Sequence, residues 1–199
     1  MRYFIVSDLH GSDYYLGKAL EAFDREGADR MIILGDMLYH GPRNSLPEGY
    51  DPKRFVARLN DFASRKTVPL CVRGNCDAEV DQMMFGFPIM ADYIAVSDGN
   101  DVVYATHGHV YNEKNPLPFV VSRTDNGKEE KPPVLLCGHT HIPALKDCGT
   151  FIYMNPGSAS LPKNDTWHGY MIWEEGRFCW KDMDGNIRME YYDDGGPQS

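Results

Sequence analysis

Three apolar, β-rich runs alternate with two helix-like segments before residue 76, and this alternation limits the fold more than any other feature of the chain. "YFIVSD" (3–8), "MIILGD" (31–36) and "VPLCVRGN" (68–75) are short and almost wholly apolar, as strands buried on both faces are. Between the first two, "SDYYLGKALEAFDREG" (12–27) has helical spacing, with Leu16, Leu20 and Phe23 on the packing face. Ser12 predicts its N-cap and Gly27 its stop. "DPKRFVARLNDFASRK" (51–66) predicts a second helix, with Asp51 as N-cap and Pro52 in the first position. The Gly- and Pro-rich stretch 40–52 before it reads as a loop. A βαβαβ order implies a parallel core sheet.

The second half changes character. "YIAVSDGNDVVYATHGH" (93–109) reads as a hairpin around "DGND", and 134–141, 151–158, 169–183 and 186–193 supply further strands. The tryptophans and tyrosines of 167–192 are expected in the core. Residues 112–133 form a polar insertion, expected to be an exposed loop, and 194–199 a disordered tail. With no linker or repeat, 1–193 reads as one domain. Its length is enough to bury a full core.

Charge and cysteine usage exclude several classes of function. A formal net charge of -9 repels polyanions, so nucleic-acid wrapping is not expected. The five cysteines are odd in number and lack CxxC spacing, which suggests neither a disulfide framework nor a zinc knuckle. No apolar run approaches the roughly 20 residues of a membrane span. The apolar start is broken too early, by Asp8 and His10, to be a signal peptide. A soluble protein of the cytoplasm is expected.

Five apolar runs end in residues with metal affinity: Asp8 and His10 in "SDLHG", Asp36 in "LGD", Asn75 in "RGN", His107 and His109 in "THGH", and His139 and His141 in "GHTH". In open α/β sheets, ligands collect at the carboxyl ends of strands. Residues one apart in a strand share a face, which would pair Asp8 with His10 and His139 with His141. Each residue alone has a plainer reading as a turn cap or surface imidazole; five strand ends together do not. Donors of Asp, His and Asn type, without thiolate, favour Mn, Fe, Co, Ni or Zn in a catalytic site. They are too many for one ion, and a carboxylate can bridge two. Two divalent ions, less Asp8, Asp36 and one hydroxide, leave a charge of about +1, which matches a diester monoanion. A monoester dianion would need a further cation.

"DLHG", "GD", "GNCD", "HGH" and "GHTH", in that order, resemble the calcineurin-like metallophosphoesterase superfamily. "GDMLYHGPRNSLPEGYDPKRFVARLN", "VRGNCDAEVDQM" and "NPGSASLPK" narrow the likeness to the bacterial YfcE-type phosphodiesterases. The resemblance implies an α/β fold, a four-layer αββα sandwich of two mixed β-sheets flanked by helices, and a binuclear centre assayed with Mn²⁺. Ni²⁺, Co²⁺, Zn²⁺ or Fe²⁺ are compatible with the same donors. It implies Asp8, His10, Asp36 and His141 around one ion and Asp36, Asn75, His107 and His139 around the other. Asp36 is then the bridge, and His109 has no ligand role. The expected catalytic residues are Asn75, Cys76, His107 and Arg43. Arg43 suits a phosphate oxygen. Cys76 stands where many superfamily members carry a proton-donating His; an inert thiol is the other reading.

The expected reaction is hydrolysis of a small organic phosphodiester by a metal-activated hydroxide, in line and without a covalent enzyme intermediate. A dimer or tetramer is expected from the resemblance. Alternatives are a phosphomonoesterase or nucleotide pyrophosphatase of the same fold, or a non-catalytic metal-binding scaffold protein. The complete ligand set argues against the last.

Overall fold

The structure is a computed structural model that describes residues 1–99, 101–120, 124–125, 128–129 and 131–192. The expected tail at 194–199 lies outside the described residues. The elements of the first half are β1 (Tyr3–Val6), α1 (Asp13–Glu26), β2 (Arg30–Ile33), α2 (Pro52–Arg65), β3 (Leu70–Cys71) and a single turn, α3 (Glu79–Gln82). There follow β4 (Tyr93–Asp98), β5 (Asp101–Thr106), β6 (Thr124–Asp125), β7 (Lys128–Glu129), β8 (Val134–Leu136), β9 (Pro143–Asp147) and β10 (Ile152–Pro156). The last three strands are β11 (Gly169–Glu174), β12 (Arg177–Asp182) and β13 (Ile187–Tyr192).

The two helices form where the local chemistry predicts. The Ser12 side chain accepts from the Tyr15 N–H at 3.0 Å, and Gly27 ends α1 in the left-handed conformation, φ 60°. Asp51 accepts from the Arg54 N–H at 3.1 Å, ahead of Pro52.

Two mixed sheets stack face to face. The first has the order β13-β12-β11-β1-β2-β3, and the second β4-β5-β8-β10-β9. β1, β2 and β3 run parallel, as do β5, β8 and β10. Strand alternation sorts the core into layers. Phe4, Val6, Met31 and Ile33 face Leu16, Phe23, Phe55 and Leu59 of the helices. Tyr3, Ile5 and Ile32, with Trp173 and Trp180, face Val103, Val134 and Met154 of the second sheet.

The outer face of the second sheet is covered differently. Leu135 and Tyr153 pack against Leu117 and Val120, which are 1% and 0% exposed. The expectation of an exposed loop over 112–133 therefore fails for these two. The sheet's outward apolar residues need a cover, and among the described residues no helix provides it.

Candidate metal centre

The C-terminal ends of the parallel strands of both sheets gather at one rim. Hydrogen bonds join them there, among them Ala159 N–H to the Ser7 carbonyl at 3.0 Å and His107 Nδ1–H to the Leu34 carbonyl at 2.6 Å. The candidate residues lie just past the strands, since β1 stops at Val6 and β8 at Leu136. Strand alternation is thus not what brings Asp8 to His10 or His139 to His141. These four and Asp36 are left-handed, with φ of 55°, 47°, 66°, 62° and 53°. Among the described residues only three other non-glycines are so, Asn164, Asp165 and Glu175. Strained backbone of this kind concentrates at functional sites. Two glycines permit the close packing. A Cβ on Gly74 would lie 2.1 Å from Asp36 Oδ1, and one on Gly138 1.9 Å from Ser7 Oγ.

Three imidazoles are oriented in the same way. His10, His107 and His141 each place Nδ1 against a backbone carbonyl, of Tyr39 (2.7 Å), Leu34 (2.6 Å) and Leu161 (2.6 Å). A carbonyl only accepts, so Nδ1 carries the proton, and in a neutral ring the Nε2 lone pair faces the centre. His10 Nε2 and His141 Nε2 approach to 3.2 Å, a contact that satisfies neither ring unless an electrophile shares it. His141 Nε2 is 3.3 Å from Asp8 Oδ1. That oxygen is buried with no hydrogen-bond partner, while Asp8 Oδ2 accepts from Ser7 Oγ–H and the His139 N–H. An unpartnered buried carboxylate oxygen is costly unless a cation meets it. Asp36 Oδ2 stands between the two groups, 3.8 Å from His10 Nε2 and 3.5 Å from His107 Nε2. Asn75 Oδ1 lies 3.1 Å from His107 Nε2.

The electrostatics favour positive charge here. Burial alone would raise the Asp8 carboxyl, but the surrounding imidazoles of His141, His107 and His10 hold it well below the usual range. Burial would lower His107, but Asp36 and Asp8 overcome it and lift the imidazole to about 9. Three donor sets could therefore hold a cation: Asp8, His10 and His141; His10, Asp36 and Cys76; and Asp8, Asp36 and His107. His139 is in none of these sets. Its ring centre is 5.1 Å from that of His107, and it lines the adjoining cleft. His109 is 5.3 Å from His107, ring to ring, and belongs to no set either.

That cleft has a volume of about 470 Å³. Arg43, Asn75 and Cys76 line it, as does Lys163, which sequence reasoning gave no role. Burial and the nearby Asp36 push the Cys76 thiol up to about 12, so it stays protonated. Two supporting groups were also missed. Asp77 accepts from the N–H groups of Asp36 (2.9 Å), Met37 (2.8 Å) and Gly74 (2.7 Å), which clamps two candidate turns together. Ser158 and Ser160, past the end of β10, both donate to the Asp8 carbonyl at 2.8 Å. The only signal was their place in "GNCD" and "NPGSAS", where a small polar residue after a strand reads equally as a turn.

A sandwich of two mixed sheets with a cluster of carboxylates and imidazoles at one rim defines a class of metal-dependent phosphoesterases. The chain belongs to the calcineurin-like phosphoesterase superfamily, whose domain matches residues 1–176. It is 43% identical over 163 residues to phosphodiesterase YfcE of Escherichia coli K12, an alignment that covers 82% of each chain. The solved structure of YfcE, a phosphoesterase from E. coli, superimposes with a TM-score of 0.86 at 36% identity, over 98% of this chain and 100% of that one. Vps29 from Entamoeba histolytica, solved with zinc, shares the fold alone, at TM-score 0.55 and 15% identity, over 98% of this chain and 100% of that one. Among the described residues, no helix is long and apolar enough to cross a membrane.

Proposed function

We propose that the chain is a single-domain, metal-dependent phosphodiesterase of the cytoplasm, working as a homo-oligomer on small organic phosphodiesters. The observation that carries this reading is Asp36 Oδ2, set between His10 and His107 as a bridging oxygen would be. Asp8, His10, Asp36 and His141 would hold one divalent ion. Asp36, Asn75, His107 and His139 would hold the second, His139 from the cleft wall. Bound ions of this kind lower the pKa of water, orient the phosphoryl group and offset developing charge. Mn²⁺ is the proposed ion.

The chain's own residues do the rest. The Tyr39, Leu34 and Leu161 carbonyls fix each imidazole in one tautomer. Asp77 holds the Asp36 and Gly74 turns in register. Arg43 and Lys163 attract the phosphate into the cleft. Cys76, held protonated, leaves departure of the alcohol to its own acidity.

One observation favours a second reading. Arg43 and Lys163 supply the extra cations that a monoester dianion requires. The deciding experiment pairs metal analysis with turnover of bis(4-nitrophenyl) phosphate against 4-nitrophenyl phosphate. Two ions per chain, loss of rate on chelation, recovery with Mn²⁺ and a higher kcat/KM for the diester are expected. A monoester hydrolysed as fast as the diester would establish the second reading instead.

A further inference from the structure

On the opposite flank of His139 the surface opens into a second cleft of about 420 Å³. His139 and Thr140 line both clefts, and no other residue does. Both volumes fall within the range of about 300–1,000 Å³ typical of small-molecule sites. The two clefts differ in chemistry. Arg43 and Lys163 make the first cationic. Ile142, Ala144 and Tyr153 give the second an apolar wall, and the Tyr153 side chain is buried beneath it. Its one acid, Glu113, pairs with Lys146 at 3.2 Å, and Lys114 is the other charged residue of its lining.

The far wall is built into the site. Asn112 Nδ2 donates to the Gly108 carbonyl at 3.2 Å, and its Oδ1 accepts from the N–H groups of Lys114 (3.0 Å) and Asn115 (3.2 Å). The wall thus hangs from the residue between His107 and His109. His109 lines the same cleft, and its Nδ1 is buried without a partner.

A phosphodiester has two ester arms, which leave phosphorus in different directions. We propose that the second cleft is a subsite for one arm of the substrate, an alcohol with an apolar, ring-sized body, the cleft of Arg43 and Lys163 receiving the other arm. This rests on the phosphodiesterase reading and makes the substrate an unequal diester.

The test is competitive inhibition of the Mn²⁺-loaded enzyme by dimethyl, methyl phenyl and diphenyl phosphate, with bis(4-nitrophenyl) phosphate as substrate. In the parent, each added ring should tighten binding about tenfold, or ~1.4 kcal/mol. Ala144→Phe fills the second cleft. It should remove one of the two steps, so that diphenyl binds no better than methyl phenyl phosphate, with dimethyl phosphate and metal content unchanged. Ile142→Phe makes the same test from another residue should the first variant fold poorly. If both steps survive in the folded variants, or if dimethyl phosphate weakens as much as diphenyl, the subsite is refuted. A parent that turns over no diester would sink the phosphodiesterase reading alone. The same three phosphates, measured by calorimetry on the metal-loaded protein, would then still decide the cleft.

Discussion

The two sheets furnish the rim unequally. The first brings both carboxylates, Asp8 and Asp36, together with His10 and Asn75, and the second brings imidazoles alone, His107, His139 and His141. Support differs in the same sense. Around the acids, Ser7, Ser158, Ser160, Cys76 N–H and the Asp77 clamp form a dense set of hydrogen bonds. His107 and His141 are each held by one carbonyl at Nδ1. A carboxylate needs donors on every oxygen that the cation does not meet, whereas an imidazole needs one acceptor to fix its tautomer. The negative charge at the rim therefore comes from its more densely hydrogen-bonded half.

The largest effect should come from the anionic half. Asp36→Asn keeps the shape but removes the bridging charge, and metal analysis should show both ions weakened, with the diester rate down about 1,000-fold or more. Near-full metal content would show that Asp36 does not bridge. On the other sheet, His107→Ala or His141→Ala should cost about 100-fold in rate, roughly 3 kcal/mol, with metal lost mainly from one site. His109→Ala should cost much less. An equal collapse at His109 would mean that the second sheet's ligands are wrongly assigned.

Asp77→Asn probes the support rather than the donors. One carboxylate oxygen becomes an NH₂ group facing a backbone N–H, a mismatch worth about 1–3 kcal/mol. Thermal melting should register that loss, and the rate should drop about tenfold, with Asp77→Glu no better because the clamp is tight. A rate unchanged beside a lowered melting point would make Asp77 a fold residue only. The smallest effect is expected at Cys76. Its thiol, pushed up to about 12 by burial and Asp36, donates poorly at neutral pH, so Cys76→Ala should leave aryl diester turnover within about twofold. A large loss, measured as kcat, would assign this thiol a part in the chemistry.

Much of this was legible because buried strands announce their ends. "FIVSD", "MIILGD" and "VLLCGH" each pass within three residues from an apolar run to a carboxylate or imidazole, and Asp8, His10, Asp36, His107 and His141 do converge. Strand alternation reached these pairs for the wrong reason. They sit in left-handed turns past the strands, a conformation that periodicity cannot report, and the same rule nominated His109 beside them. Helices α1 and α2 were readable from their caps and spacing. The cover on the other sheet was not, because Leu117 and Val120 lie in a short apolar cluster, "LPFVV", inside a polar stretch, too brief to show a period. Lys163 and the second cleft depend on loops that meet only in three dimensions.

The left-handed turns carry a consequence for sequence change. At His10, His139 and His141 the backbone asks for glycine or asparagine, and only the side chain's chemistry asks for histidine. Each histidine holds its place against roughly 1 kcal/mol of conformational preference. Under the proposed ligation, a lineage that no longer needed the ions would lose nothing at the site by letting these positions drift to glycine, and its backbone there would relax.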